Sequence, residues 1–326
     1  MTLGSLGLPA LLAFAGTATV LALALSRGKR VLPVDRPNER SLHSTPIPRI
    51  GGMAMMAVLV PVALATVPGA AAWVLPMAVL AVVSGIDDFR GLPVAVRFGA
   101  QGLVAAYAVG LALTGLPWWV FTLAWLATVW TTNLYNFMDG SDGLAGGMAV
   151  FGFGSFAIAG WQAGDPMLAA SCVAVAASAA GFLLFNFNPA RVFMGDAGSV
   201  PLGFLAALFG AIGWRAGYWD LVFPVLVFAP FVVDATVTLM HRLMRGERVW
   251  QAHRSHYYQR LIQLGAGHRR TALLEYTLMA SMAAAALAGR ATGHTTAAAA
   301  ASAAVLVALG AAIDVRWARR QAKAAR

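Results

Sequence analysis

The feature that most constrains this 326-residue chain is a regular succession of long apolar segments that contain few charges. Hydrophobic residues make up 60% of the sequence, charged residues make up 11%, and the mean hydropathy is +0.72. A soluble domain normally carries about a quarter of charged residues. The composition therefore predicts an integral membrane protein.

A sliding apolar window predicts eleven transmembrane helices, and hence an all-α polytopic bundle formed by a single domain over residues 1–326. Several segments are shorter than the roughly 20 residues that a perpendicular helix needs to cross a bilayer. The predicted spans are 6–25, 51–67, 71–86, 96–114, 117–133, 143–160, 167–187, 200–214, 220–241, 271–289 and 296–315.

The basic residues predict how the bundle is oriented. Of the 23 Lys and Arg residues, only Arg215 and Arg290 fall on one side of the predicted spans. The positive-inside rule places the basic side in the cytoplasm, so the N-terminus lies outside and the C-terminus inside the inner, cytoplasmic membrane. Basic loops facing anionic lipid account for the net charge of +10, and no soluble domain is left to bind nucleic acid. The single Cys172 lies in a span, which excludes a disulfide framework.

Five carboxylates lie on the basic side, each where an apolar span ends. Any one of them could be a helix cap. Five at equivalent depth, from three separate loops, are hard to explain as caps alone and suggest a hard divalent cation bound through oxygen, such as Mg²⁺. These residues are Asp87, Asp88, Asp139, Asp142 and Asp196.

The segments around these carboxylates carry recognisable motifs. Residues 133–145 read Asn-Leu-Tyr-Asn-Phe-Met-Asp-Gly-Ser-Asp-Gly-Leu-Ala, and residues 193–199 read Phe-Met-Gly-Asp-Ala-Gly-Ser. A first loop with His43 and Arg49 precedes them, and a basic loop from His253 to Arg260 follows. In this order the segments resemble the polyprenyl-phosphate sugar-1-phosphate transferases of glycosyltransferase family 4, and the last loop resembles the branch that begins O-antigen chains.

The resemblance implies a reaction, a cofactor and partners. A sugar-1-phosphate of the N-acetylhexosamine type would move from a UDP-sugar to a polyprenyl phosphate in the inner leaflet, with release of UMP. The product would start a cell-surface glycan such as the O-antigen of lipopolysaccharide. Mg²⁺ is the implied cofactor, with Mn²⁺ as a substitute, and a homodimer would fit the family. The sequence does not specify the sugar.

The resemblance also implies roles for individual residues. Asp87 and Asp88 match the paired catalytic aspartates beside the acceptor phosphate, and Asp196 would hold the metal together with Asp88. One aspartate would orient or deprotonate the acceptor. A covalent aspartyl intermediate is the alternative, but direct attack is favoured because the acceptor phosphate is already ionised near neutral pH. The implied substrate-binding residues are Asn136, Asp139, Asp142, Asn186, Phe193, His253, His256, Arg260 and Arg49.

Several of these residues have a plainer interpretation. Phe193 would stack on uracil, with Asn186 and Asp142 at the edge of the base, or it is an ordinary packing aromatic. His253 and His256 would share one face if their loop is helical, but zinc would need a third ligand.

Two further alternatives stay open. Asp234, the acid deepest in a span, is either functional or paired with His241 or Arg242. A transporter or flippase for lipid-linked sugars is the alternative function for the whole chain.

Overall fold

The computed structural model describes residues 4–27, 33–35, 37, 45–248, 251 and 253–324, and these residues are almost entirely helical. The described part contains thirteen α-helices. They are α1 (Gly4–Ser26), α2 (Gly51–Thr66), α3 (Ala71–Arg90), α4 (Val94–Ala112), α5 (Trp118–Phe137), α6 (Leu144–Gln162), α7 (Pro166–Asn186), α8 (Asp196–Arg215), α9 (Val222–Val227), α10 (Ala229–Met244), α11 (Tyr257–Leu261), α12 (Gly267–Thr292) and α13 (Thr295–Ala324). A π-helical turn, Ile262–Ala266, joins α11 to α12.

The predicted all-α membrane bundle is confirmed, and each predicted span has a helical counterpart. In the described residues eight helical segments are long and apolar enough to cross a bilayer, which is fewer than the eleven predicted. The helix α2 has only 16 residues. The helix α5 has 20 residues, enough to cross about 30 Å, but it contains four Trp and two Asn and is less apolar than the eight.

The predicted span 220–241 is not one helix. The chain leaves helical geometry at Phe228, between α9 and α10, and Pro230 stands in the first turn of α10. Proline has no backbone N–H to donate to the preceding turn, so it is favoured where a new helix begins. The structure therefore has two helices, α9 and α10, where one span was predicted.

The core of the bundle is built around α6, α7 and α8, which are buried over most of their length, whereas α13 is exposed along nearly all of its length. Two glycines let neighbouring helices approach α8 closely. A Cβ atom on Gly52 would overlap the backbone of Gly198, and one on Gly203 would lie 2.6 Å from the carbonyl oxygen of Thr131. Close approach of this kind is typical of small residues between membrane helices. It brings the ends of α2 and α5 against the start of α8.

Two short strands lie at the same end of the bundle. β1 (Val34–Asp35) and β2 (Ile47–Pro48) pair antiparallel, with Val34 opposite Pro48. β2 continues through Arg49 into α2, and the backbone of this segment bonds to the turn before α8. Phe193 N donates to Pro48 O at 2.8 Å, and Gly52 N donates to Met194 O at 2.8 Å. The first loop is thereby fixed beside Asp196.

Candidate active site

The paired aspartates lie in the last turn of α3 and have different partners. Asp88 is almost fully buried, with its side chain 2% exposed, and its carboxylate accepts hydrogen bonds from the backbone of Asp196 at 3.3 Å and Ala197 at 3.1 Å. Asp88 therefore caps the N-terminus of α8 from a different helix, where a negative charge is favourable. The capping interpretation holds for this residue, and the cap also places its charge beside Asp196.

Two arginines hold the carboxylates of α3 and α8 together. Arg49 Nη2 lies 3.5 Å from an oxygen of Asp88 and 3.5 Å from an oxygen of Asp196. Arg97 Nη1 lies 3.0 Å from Asp87 Oδ2 and 3.9 Å from Asp196 Oδ2. Asp87 also accepts a hydrogen bond from Leu92 N. The predicted residues Asp87, Asp88, Asp196 and Arg49 thus form one charged cluster.

The last turn of α5 and the turn after it add two predicted residues, Asn136 and Asp139, to this cluster. Asn136 Nδ2 donates to Asp196 Oδ2 at 3.4 Å, and Asn136 Oδ1 accepts from Ser199 Oγ at 2.7 Å. Burial raises the pKa of the Asp139 carboxyl well above its ordinary value; the charges of Asp196 and Asp88 raise it further, and Arg49 lowers it. Asp139 is therefore within electrostatic reach of the same charges.

Asp142 and Asn186 hold two loops against each other. Asp142 Oδ2 accepts from Asn188 Nδ2 at 2.7 Å and from Ala190 N at 3.1 Å. Asn186 is buried, accepts from Gly143 N at 2.9 Å and donates to Val192 O at 2.9 Å. These two bonds use one N–H and one lone pair of the amide, so the predicted contact of Asn186 with a uracil edge stays a prediction. Phe193 is partly buried in the same turn, and its predicted stacking on uracil stays a prediction.

The segment from His253 to Arg260, called the histidine loop below, carries three predicted substrate-binding residues. Two of them, His256 and Arg260, bond to groups outside the carboxylate cluster. His256 is 2% exposed, and its Nδ1 lies 3.1 Å from Asp234 Oδ1. Arg260 is buried, and its Nη1 donates to Asp314 Oδ1 at 2.6 Å. The loop reaches the site through Tyr258, whose hydroxyl donates to Phe137 O at 3.3 Å.

Two possibilities that the sequence left open, one for the histidine pair and one for Asp234, do not hold in the structure. His253 and His256 do not share a helix face, because α11 begins only at Tyr257; their rings instead lie 4.8 Å apart. Asp234 pairs with His256 rather than with His241 or Arg242, and Arg242 Nε bonds Glu247 at 2.7 Å. The partners of Asp234 lie in the next segment of the chain, which spacing along α10 could not reveal.

The sequence interpretation missed three residues at this end of the bundle. Arg97 lies in the first turn of α4, ten residues after Asp87, and its charge was the available signal. His268 lies in the first turn of α12, and its Nδ1 lies 3.0 Å from Ser141 Oγ and 3.8 Å from Asp142 Oδ1. Ser199 lies in the motif that contains Asp196. His43, from the first loop, lies outside the described residues.

The donor chemistry of the cluster suits a hard divalent cation. Among the described residues no three His, Cys, Asp or Glu side chains converge closely enough to form a complete metal site. The cationic Nη2 of Arg49, however, is already shared by Asp88 and Asp196. Mg²⁺ is commonly held by one or two carboxylates, with substrate phosphates and water as its remaining ligands. Two carboxylates that already share a positive charge fit such an ion.

Comparison with known proteins identifies the family of this chain. Residues 70–213 match the model of glycosyl transferase family 4. A probable undecaprenyl-phosphate N-acetylglucosaminyl 1-phosphate transferase of Bacillus subtilis (strain 168) is 30% identical over 264 residues, which cover 75% of this chain and 74% of the relative. The chain belongs to glycosyl transferase family 4.

Two other members of the family match over similar lengths. A decaprenyl-phosphate N-acetylglucosaminephosphotransferase of Mycobacterium leprae is 31% identical, over 82% of this chain and 78% of the relative. An undecaprenyl-phosphate alpha-N-acetylglucosaminyl 1-phosphate transferase of Yersinia pestis is 31% identical, over 77% and 75%. The family match runs from the start of α3 nearly to the end of α8, and so contains the carboxylates of the cluster but not Arg49 or the histidine loop.

Proposed function

We propose that this membrane protein transfers an N-acetylhexosamine-1-phosphate from a UDP-sugar to a polyprenyl phosphate and releases UMP. The observation that carries the proposal is the cluster of Asp87, Asp88 and Asp196 with Arg49 and Arg97 at one end of a membrane bundle. The names of the relatives, which transfer N-acetylglucosamine phosphate to polyprenyl phosphates, support the same acceptor and sugar class.

The reaction joins two anionic molecules, so the site must neutralise charge and hold the phosphates in line. An oxygen of the acceptor phosphate forms a bond to the β-phosphorus of the donor. The bond from that phosphorus to the bridging oxygen breaks, and UMP leaves with the electron pair. The acceptor oxygen is already ionised, so direct attack needs no strong base.

The residues of the cluster have different roles in neutralising charge and positioning the phosphates. Arg97, held by Asp87, offers a positive charge to the acceptor phosphate, while Asp87 keeps that charge in place. Arg49 lies between the two carboxylates and becomes available to the donor phosphates when another cation takes its place. Asp88 and Asp196 would hold Mg²⁺, or Mn²⁺ in its place, and the ion would neutralise charge on the transferring phosphate. Asn136 and Asp139 line the same region, and Asp142, Phe193 and the histidine loop would lie toward the nucleotide.

The proposal places this end of the bundle at the cytoplasmic surface of the inner membrane. The positive-inside rule supports this orientation, because the predicted spans leave only Arg215 and Arg290 of the 23 Lys and Arg residues on the other side. A UDP-sugar would reach the site from the cytoplasm and the acceptor from the inner leaflet. The product would begin an O-antigen or a related surface polysaccharide.

The test is a reconstitution of the purified protein with polyprenyl phosphate, Mg²⁺ and a panel of UDP-N-acetylhexosamines, with UMP as the readout. We expect UMP to appear with at least one donor only when the acceptor lipid is present, and to disappear with EDTA. An Asp196→Asn variant purified in parallel should give no UMP above background. If no donor gives UMP, transport or flipping of a lipid-linked sugar becomes the better explanation.

A further inference from the structure

A cavity opens on the side of the bundle, and its lining does not include the carboxylate cluster. It lies between α10, α12 and α13 and has a volume of about 830 Å³, within the range of small-molecule sites. Most of its wall is aliphatic and includes Val233, Leu278, Met282 and Leu306. An apolar wall of this kind is suited to lipid chains.

One acidic side chain that lines this cavity has no bonding partner among the described residues. Glu275 of α12 is only 9% exposed and lines the cavity, and among the described residues its carboxyl has no hydrogen-bond or ion-pair partner. A buried carboxyl without a partner is costly. An acidic residue inside a membrane span therefore indicates a ligand or a functional role.

The other two carboxyls of the cavity are already satisfied. Asp234 accepts hydrogen bonds from the backbone of Tyr257 at 2.9 Å and Tyr258 at 3.0 Å, besides its contact with His256. Asp314 is paired with Arg260. Glu275 is thus the carboxyl with free capacity in the described lining of the cavity.

The charges of the cavity favour a cation over an anion. Asp234, Glu275 and Asp314 line it, while Arg316 is the basic side chain among the described lining residues. Arg260 pairs with Asp314 and His256 contacts Asp234, so Glu275 is the acid without a partner among the described lining residues. A phosphate alone could pair with Arg316 but would leave Glu275 unpaired, so the anionic head of an acceptor lipid is a poor match. A zwitterion with an ammonium group satisfies both signs of charge.

We propose that this cavity binds a phospholipid whose head carries a primary ammonium group. The ammonium N–H groups donate to Glu275, the lipid phosphate pairs with Arg316, and the acyl chains follow the aliphatic wall into the membrane. Glu275 lies eight residues into α12, about 12 Å along the helix from Gly267. The ammonium is thereby drawn slightly below the membrane surface.

The site adjoins the histidine loop. Asp234 lines the cavity and also caps α11 through the backbone of Tyr257 and Tyr258. Tyr258 in turn bonds the turn that precedes Asp139. A lipid bound at Glu275 therefore stabilises the element that supports one side of the carboxylate cluster.

The experiment measures lipid retention by native mass spectrometry. The full-length protein is stripped of lipid in detergent and offered phosphatidylethanolamine, phosphatidylcholine and phosphatidylglycerol with identical acyl chains. We expect phosphatidylethanolamine to be retained about tenfold better than phosphatidylcholine, whose quaternary ammonium has no N–H to donate. Equal retention of the two, or a preference for phosphatidylglycerol, would overturn the proposal.

Three variants locate the binding. Glu275→Gln should abolish the preference, whereas Glu247→Gln, which changes an acid outside the cavity, should keep it. Gly310→Leu keeps every carboxyl but fills the cavity; a Cβ atom there meets only the ring of Tyr257, at 3.7 Å, so the helix can accept it. It should also abolish the preference. A preference that survives in either cavity variant would show that the lipid binds elsewhere.

Discussion

At the scale of single residues, the site depends on charged groups that serve more than one partner. Arg49 is shared by Asp88 and Asp196, and Asp88 is also the cap of α8. The sequence motifs identified these carboxylates correctly as a group that meets at one place. They did not identify Arg97, because its approach to Asp87 depends on how the turn between α3 and α4 folds back.

Arg49 provides a direct test of the metal site. Because its guanidinium occupies the space between two carboxylates, Arg49→Gln should bind Mn²⁺ several-fold more tightly in the absence of substrates. Electron paramagnetic resonance of free Mn²⁺ measures this affinity. Arg191→Gln, an exposed arginine that stacks on Phe185, is the matched control and should leave the affinity unchanged. Equal affinities in the wild type and Arg49→Gln would argue against a cation between these aspartates.

A substitution at Asp87 distinguishes a positioning role of this carboxylate from a role as catalytic base. Asp87→Asn removes the charge that holds Arg97 but keeps an oxygen that can accept from Leu92 N. For direct attack we expect kcat to fall by less than about 100-fold, measured by UMP release at saturating substrates. Asp220→Asn, at the opposite end of the bundle, should have no effect on kcat. Complete loss of turnover in a folded Asp87→Asn protein would favour an obligatory base or nucleophile.

The lowered pKa of His253 predicts how the free energy of unfolding depends on pH. Burial, together with the neighbouring His256 and Arg242, lowers the pKa of His253 to about 4, whereas an unfolded histidine titrates near 6.5. As the pH falls between these values the unfolded chain takes up a proton that the folded chain does not, so the folded state loses stability.

Thermal unfolding in detergent from pH 7.5 to 4.5 measures this effect. His253→Gln should lower the acid-induced loss of Tm by about 2 °C, while the exposed His294→Gln should not. An identical acid sensitivity in the His253→Gln protein would mean that other groups carry the pH dependence.

At the scale of elements, hydropathy identified where helices run but not where one of them stops. The apolar run 220–241 is continuous in sequence, and only the geometry around Phe228 shows that α9 and α10 are separate helices. Two histidines three residues apart suggest a helical face, yet the helix starts after them because Asp234 binds the backbone at Tyr257 and Tyr258.

The cap of α11 is therefore a test at this scale. Asp234→Asn replaces one acceptor by an amide donor and should destabilise the start of α11 by about 1–3 kcal/mol. Hydrogen–deuterium exchange of residues 257–261 should be faster in this variant, and UMP release should fall with it. Thr238→Val removes a hydroxyl that donates to Asp234 but leaves the capping carboxylate intact, so exchange there should change little. Unchanged exchange in Asp234→Asn would show that packing alone holds α11.

At the scale of the whole molecule, charge distribution is the strongest information in the sequence. It predicted that the loops carrying the carboxylates share one end of the bundle, and the structure brings four of those carboxylates within reach of Arg49 and Arg97. What it could not provide is which helices touch: the contact of α2 and α5 with α8 depends on Gly52, Gly198 and Gly203, whose neighbours lie far away in sequence.

The orientation of the bundle can be measured with single cysteines. Cys172 is fully buried, so a membrane-impermeant maleimide should not label the wild type. Ala216→Cys, in the turn after α8, should be labelled in intact spheroplasts, and Arg245→Cys, in the turn after α10, only after permeabilisation; both positions are exposed. The reverse pattern would place the carboxylate cluster on the outer surface.

The attachment of the first loop to the turn before α8 has a further consequence. The three hydrogen bonds that join Pro48, Gly51 and Gly52 to Phe193 and Met194 connect main-chain atoms only. Side chains around this junction can therefore be substituted without loss of these hydrogen bonds, and the guanidinium of Arg49 would still lie between its two aspartates. A protein with a different sequence in this loop would still hold an arginine between the two aspartates, provided that two small residues remain where α2 crosses α8.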